Sequence, residues 1–325
     1  MEKMNELKKE ILEATSIGVA SHIDPDGDNL GSICALKRSL ELFGKDVCLY
    51  IDDKIPSSYQ FLPGVKESSE IEPGKVHDLF FALDCADQGR LGERVGKLFE
   101  GAKTRVVIDH HLTNQGYGDL NFIEIISSTG ELLYELLSAM ELPIDKQVAT
   151  CLYTAISSDT GSFKYDSTSP RTHEIAADLL SHHIDLNEIT INLYQRRSLA
   201  KTNLLMKAME NLKILEDGKI ALTRISLDDL NNAKAEHSDT DGIVEFIRDI
   251  DGVDLAIFLK DSKRSGSKIS MRSKGDIDAS KIAMKFDGGG HKRAAGASFN
   301  GNLDQCQEAI LKAVNDEINA GNSIN

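Results

Sequence analysis

The chain has 325 residues, 41% of them hydrophobic and 27% charged, the balance of an ordinary globular protein rather than a disordered or fibrous one. It exceeds the roughly 250–300 residues that one core sustains, so two domains are expected. A formal net charge of -15 excludes a surface that grips long polyanions by general electrostatics, and the lack of Trp with only 6% aromatics leaves little for an aromatic-lined single-strand track.

In chain order, Ile17–Ser21, Val47–Ile51, Asp78–Leu83 and Arg105–Ile108 read as strands, alternating with helices near Asn29–Phe43 and Leu91–Phe99. That alternation predicts a mainly parallel sheet flanked by helices. From Glu131 to Ala200 the pattern turns helical, with apolar spacing at Leu132, Leu133, Leu136 and Leu137 and again at Ile175, Ala176, Leu179 and Leu180. Ile184–Asn211 reads as a helical connector, because Lys213–Leu215 and Ile220–Ile225 around Glu216-Asp217-Gly218 begin a new hairpin. Strands at Leu255–Lys260 and Lys268–Arg272, a glycine loop at Gly288–Gly290 and a helix at Leu303–Ile318 complete a smaller α/β domain. The expected division is 1–190 for the first domain, 191–212 for a helical linker and 213–325 for the second. The short apolar run Ser16–Ala20 is neither a signal peptide nor a membrane helix. The five cysteines show no CxxC spacing, which predicts reduced thiols in a cytoplasm.

Four polar sites follow apolar runs. His22-Ile-Asp-Pro-Asp26-Gly-Asp28 comes directly after the first strand and before a helix, where open α/β sheets bind ligands. A helix N-cap accounts for one of these carboxylates, Asp28 among them, but not for the His and three Asp together. Asp84 ends Leu79-Phe-Phe-Ala-Leu83, Asp109-His110-His111 ends Val106-Val-Ile108, and Asp159 lies in Ser157-Ser-Asp-Thr-Gly161 after the helical run Val148–Ile156. One strand-end Asp is often only a turn former; two of them beside the HxxxDxD loop point to a shared site. Imidazole and carboxylate donors without thiolates suit manganese, magnesium, cobalt or zinc, and two such ions can generate hydroxide and clamp a phosphoryl group. A Ser-His-Asp hydrolase is disfavoured, since no G-x-S-x-G occurs.

These motifs resemble the DHH phosphoesterase family, named for the triplet found here as Asp109-His110-His111, and the match extends to HIDPDGD, Asp84 and Asp159. Gly288-Gly-Gly-His291-Lys-Arg-Ala-Ala-Gly296, with Ser270-Met-Arg272-Ser273 upstream, is similar to the family's associated C-terminal substrate domain. The resemblance covers nearly the whole chain and implies two divalent ions, usually manganese. His22 and Asp26 would hold one, Asp28, His110 and Asp159 the other, and Asp84 would bridge both. Asp109 would support the site and His111 contact the scissile phosphate, while Arg272, Ser273, Gly288, Gly289, Gly290 and His291 would bind the far end of the substrate across an interdomain cleft.

Within the family, length and the lack of sensory or additional nucleic-acid-binding segments are most similar to the nanoRNase type, which degrades very short oligoribonucleotides and dephosphorylates 3'-phosphoadenosine 5'-phosphate. Phosphodiesterases of cyclic or linear dinucleotides are the alternative. A single-strand exonuclease and a non-catalytic nucleotide sensor are weaker ones, and the GGGH loop counts against the pyrophosphatases. The expected partners are short RNA, mononucleotides or dinucleotides, with no membrane and with homodimerisation left open. Lys260–Arg293 carries ten Lys or Arg against four Asp, a basic segment suited to a compact anion or merely to a solvated face. His77, His173, His182, His183 and His237 read as surface or packing residues.

Overall fold

The computed structural model describes residues 2–262 and 266–322. Lys263 and Arg264 of the basic segment lie outside the described residues. Tertiary contacts divide the chain into two units, Met1–Arg196 and Arg197–Asn325.

The first unit runs α1 (Glu2–Glu13), β1 (Ile17–Ala20), α2 (Gly27–Leu42), β2 (Val47–Tyr50), β3 (Leu79–Leu83), α3 (Glu93–Glu100), β4 (Thr104–Asp109), β5 (Leu120–Ile123), α4 (Thr129–Ala139), α5 (Lys146–Asp159), α6 (Pro170–Ser181) and α7 (Leu186–Thr190). Its five strands are all parallel, in the order β2-β1-β3-β4-β5. β3 is buried along its whole length, as an apolar run covered on both faces must be. Phe81 and Leu83 join the core that includes Leu36 of α2, Leu133 of α4 and Leu152 of α5, while Phe80 and Ala82 face Val95 and Phe99 of α3. This is the two-residue alternation of a strand between helical layers. Two elements go beyond the sequence expectation. β5 is a short edge strand with an internal Asn and three half-buried residues, so it carries little apolar signal. α1 is mostly polar and anchors through Leu7 and Ile11.

After α7 the chain makes a single π-helical turn, Ile191–Gln195, and becomes extended at Arg196. The second unit begins with α8 (Leu199–Glu210), whose Leu204 and Ala208 are buried with Ala221, Ile225, Ile247 and Phe258. It continues with β6 (Lys213–Leu215), β7 (Ile220–Ile225), α9 (Leu227–Ala233), α10 (Ile243–Arg248), β8 (Leu255–Asp261), β9 (Ser267–Ser273), α11 (Ala279–Met284), β10 (Gly289–His291), β11 (Ala294–Phe299) and α12 (Leu303–Asn322). The sheet order is β10-β11-β9-β8-β7-β6, and only β7 and β8 are parallel. The other face of this sheet packs Ile257, Ile269 and Met271 against Ile282 of α11 and Ile310 and Val314 of α12.

The glycine segment expected as a loop is instead partly a strand. Gly289–His291 pairs antiparallel with Ala294–Ala295–Gly296. Gly290 has φ +138, and a Cβ there would lie 2.4 Å from the Ala294 carbonyl oxygen, so the tight hairpin itself requires a glycine. No helix among the described residues is long and apolar enough to cross a membrane.

Candidate metal centre

The order β2-β1-β3-β4-β5 places the topological switch between β1 and β3, the position where open α/β sheets bind ligands at the carboxyl ends of their strands. His22 follows β1, Asp84 follows β3, Asp109 ends β4 and His110 comes directly after it. The strand ends are tied together, since Ser21 Oγ donates to the Leu83 carbonyl at 2.6 Å and the Asp84 N–H donates to the Ile108 carbonyl at 2.9 Å. Asp84 has φ +51, a left-handed conformation that Asp tolerates better than most residues. Asp159 arrives from the last turn of α5.

Asp26 is the N-cap of α2, accepting from the Asn29 N–H at 3.0 Å. Asp28 lies inside the first turn, so the N-cap reading falls to its neighbour. The Asp28 carboxylate instead meets the N-terminus of α4, accepting from Thr129 N at 2.7 Å and Gly130 N at 2.8 Å. A Cβ on Gly130 would lie 2.5 Å from Ala155 Cβ of α5; the glycine lets α4 come close enough for its free N–H groups to hold the carboxylate.

Three overlapping groups of donors result, His22 with Asp26 and Asp84, Asp28 with His110 and Asp159, and Asp84 with His110 and His111. His22 Nε2 is 3.8 Å from Asp26 Oδ2 and 3.5 Å from Asp84 Oδ2. His110 Nε2 is 3.7 Å from Asp28 Oδ2, 3.6 Å from Asp84 Oδ1 and 3.5 Å from Asp159 Oδ2. The two oxygens of Asp84 thus face different groups. His22 Nδ1 bonds the Ile23 carbonyl at 2.7 Å and His110 Nδ1 the Ile126 carbonyl at 3.2 Å. A carbonyl only accepts, so each Nδ1 carries a proton and each Nε2 is turned inward, toward the carboxylates.

The electrostatics call for cations. Burial, reinforced by the charges of Asp84, Asp159 and Asp26, drives the Asp28 carboxyl well above its ordinary range. Asp159 is pushed up to about 6 by partial burial, with Asp84 and Asp26 adding to the effect against His110 and His111. Burial also opposes ionisation of Asp84, but the His22 hydrogen bond and the charges of His110, His111 and His22 overcome it and hold this carboxyl below its usual value. Crowded carboxylates sharing imidazole neighbours, with donor atoms converging and no thiolate, fit hard or borderline divalent ions.

A model of the DHH family, N-terminal domain, matches residues 16–156, and one of the DHHA1 domain matches residues 217–320. The chain is 34% identical over 325 residues to the bifunctional oligoribonuclease and PAP phosphatase NrnA of Thermus thermophilus, covering 98% of this chain and 95% of that protein. The chain belongs to the DHH family. The NrnA protein of Bacillus subtilis, with the same description, is 28% identical over 86% of this chain and 87% of its own length. Among solved structures, an exopolyphosphatase-related protein from Bacteroides fragilis superposes with a TM-score of 0.90 at 27% identity, covering 97% of this chain and 96% of that one.

The triplet that names the DHH family has its own internal support. Asp109 is fully buried and accepts from His111 Nδ1 at 2.8 Å and from Asn114 Nδ2 at 2.6 Å. That His111 bond, acting against burial and joined by the charges of Asp109, Asp84 and Asp159, raises the imidazole above its usual value. Asn114 Nδ2 also reaches the Cys85 carbonyl at 3.1 Å, tying the end of β4 to the end of β3. Asn114, Thr129, Gly130 and Asn29, whose Nδ2 donates to the His22 carbonyl at 2.9 Å, are site residues that the sequence reading missed. Asn29, directly after the HIDPDGD run, and Asn114, three positions after His111, lay beside recognised motifs, whereas Thr129 and Gly130 did not.

The residues expected to hold substrate all lie in the second unit. Arg272 on β9 is bound by Glu245 of α10 through Nε at 3.0 Å and Nη2 at 2.9 Å, and donates from Nη1 to the Met271 carbonyl at 3.0 Å. Ser273 is buried, with its N–H donating to the Arg293 carbonyl at 2.9 Å. Gly289, Gly290 and His291 are exposed on β10, and Gly288 is half-buried just before it. A cavity of about 200 Å³ is lined by Thr240, Glu245, Phe258, Lys260, Ser270 and Arg272, among others. The basic segment is no uniform patch, because Lys274 bonds the Ile250 carbonyl at 3.1 Å, Lys285 the Ala313 carbonyl at 3.0 Å, and Lys281 lies 3.6 Å from Glu317.

Proposed function

We propose that this DHH protein is a manganese-dependent phosphoesterase that cleaves very short oligoribonucleotides and removes the 3'-phosphate of 3'-phosphoadenosine 5'-phosphate. The observation that carries the reading is the shared Asp84, whose two oxygens face His22 on one side and His110 on the other, in a chain that aligns over 98% of its length with an oligoribonuclease and PAP phosphatase. His22, Asp26 and Asp84 would hold one divalent ion, and Asp28, His110, Asp159 and Asp84 the second. When bound, such ions supply a water acidified toward neutral pH and a clamp for phosphoryl oxygens.

The remaining work falls to the protein's own groups. Water oxygen adds to phosphorus, the P–O bond to the nucleoside breaks, and the leaving oxygen takes a proton. His111, whose protonated form the Asp109 hydrogen bond favours, would contact the scissile phosphate and offset its growing charge. Arg272, Ser273, His291 and the Gly288–Gly290 hairpin would capture the distal end of the nucleotide, leaving catalysis to 1–190 and capture to 213–325. Five free thiols, four of them buried, suit a reducing cytoplasm.

The test is turnover by the purified protein with manganese, using 3'-phosphoadenosine 5'-phosphate, di- to decanucleotide RNAs, a thirty-nucleotide RNA, and cyclic and linear diadenylates. The expected result is release of phosphate from the mononucleotide and rates on RNA that fall with length, because a chain of net charge -15 repels the rest of a long strand. Equal rates per end on the shortest and longest RNA favour an exonuclease. Preference for the diadenylates favours a dinucleotide phosphodiesterase, and tight binding without turnover a sensor.

A further inference from the structure

We propose that Thr129 is the positioning residue that couples the two ligand groups, its backbone fixing one carboxylate and its hydroxyl the other. This rests on the reading of those groups as ion sites. Thr129 is the first residue of α4 and is fully buried. Its N–H donates to Asp28 Oδ2 at 2.7 Å, and its Oγ1 donates to Asp84 Oδ1 at 3.0 Å. Asp28 belongs with His110 and Asp159, whereas Asp84 also belongs with His22 and Asp26, so one rigid residue spans both groups.

The arrangement is selective in what it satisfies. Asp28 Oδ1 has separate support from Gly130 N at 2.8 Å and Ser32 Oγ at 3.2 Å. For Asp84, no other side-chain hydroxyl or amide donor is found among the described residues; the imidazoles of His22, His110 and His111 lie within 3.6 Å of its oxygens. The Thr129 hydroxyl therefore sets the rotation of the Asp84 carboxylate about its own axis and, with it, which oxygen faces which group. A β-branched side chain has a stiff χ1, and its place at a helix start is held by Ser128, which caps α4 by accepting from Glu131 N at 3.0 Å. Outer groups that orient ligands typically alter metal affinity by about ten- to a hundredfold when removed.

Thr129→Val removes the hydroxyl while keeping the N–H bond to Asp28 and nearly the same shape. Manganese titration of metal-stripped protein, followed by calorimetry and by electron paramagnetic resonance, compares wild type, Thr129→Val and Thr129→Ser, with circular dichroism to establish folding. Wild type is expected to take up two ions with the signature of a coupled pair. Thr129→Val should bind the second ion about tenfold or more weakly and lose the coupled signal, and Thr129→Ser should restore both. The proposal is overturned if Thr129→Val retains wild-type affinity and coupling, or if Thr129→Ser is equally impaired, which would assign the effect to packing of the methyl group. Should Thr129→Val not fold, Thr129→Ala, which lacks both hydroxyl and methyl, is set against Thr129→Ser, which lacks only the methyl, and carries the same comparison. If wild type itself takes up no ion, the metal reading fails and this inference with it; if it takes up a pair that Thr129→Val leaves intact, only the inference fails.

Discussion

The two units carry their functional candidates in opposite ways. In the first, His22, Asp28, Asp84 and Asp109 are buried, come from three strand ends and one helix start, and are held by further hydrogen bonds from Ser32, Asn114, Thr129 and Gly130. In the second, His291 and two of the three glycines stand exposed on a hairpin, and Arg272 is braced by one half-exposed carboxylate. Under the proposed function, the contrast matches what each unit would hold. Like charges can be packed together only when rigid dipoles and a cation neutralise them, so an ion site is built before its ligand arrives. A nucleotide brings its own charge and shape, and exposed donors with spare hydrogen-bonding capacity can close on it.

The most severe test of this contrast is Asp84→Asn. It removes the one charge shared by both groups and should lower turnover of 3'-phosphoadenosine 5'-phosphate by more than about a hundredfold, the upper range for a group that merely supports a ligand. Manganese per chain should fall in parallel. Near-normal turnover with full metal content would break the reading of the first unit.

Arg272→Ala should be milder and of a different kind. Charge-assisted hydrogen bonds are worth roughly 1.5–3 kcal/mol, so nucleotide capture should weaken about ten- to a hundredfold, read as KM, with bound manganese unchanged. Hydrolysis of bis(p-nitrophenyl) phosphate, which has no nucleotide end to capture, should survive much better. Equal loss on both substrates, or loss of manganese, would erase the distinction between the units.

Asn114→Ala should cost less again, about tenfold in kcat, since it loosens Asp109 and through it His111 without removing a ligand. Metal affinity that falls as far as in Asp84→Asn would place Asn114 with the ion ligands instead.

The smallest expected effect is one of pH on the metal-stripped protein. Asp159 is raised from 3.8 to about 6 in the fold. A raised carboxyl binds more protons folded than unfolded, so stability is fully present below the unfolded value and is lost as pH climbs to about 6. Without metal, Asp159→Asn should therefore melt level with wild type near pH 4 and a few degrees above it at pH 7. Manganese should reverse the order at pH 7. A constant difference across the range would show that Asp159 feels no crowding.

Much of the first unit was legible because parallel strands buried on both faces are nearly pure apolar runs, and a polar residue ending such a run marks the strand's carboxyl end. That is why Asp84 after Leu79–Leu83 and Asp109 after Val106–Ile108 stood out. β5 escaped because an edge strand needs little apolar surface, and α1 because its two buried residues are spread through a charged helix. In the second unit Gly288–Gly290 suggested a loop, whereas the pairing of Gly289–His291 with β11 depends on a partner strand whose own pattern was weak.

The sequence by itself determined the class of fold, the strand-end positions of the ionisable groups and the donor types, because burial periodicity and side-chain chemistry are local properties of the chain. Only the tertiary structure decided which groups meet. Asp28 and Thr129 lie 101 positions apart, and nothing in the neighbourhood of Thr129 announces a contact with a carboxylate. Its role exists only because the glycine beside it lets α4 approach α5, which turns the unpaired N–H groups of a helix start toward a charge supplied by another helix.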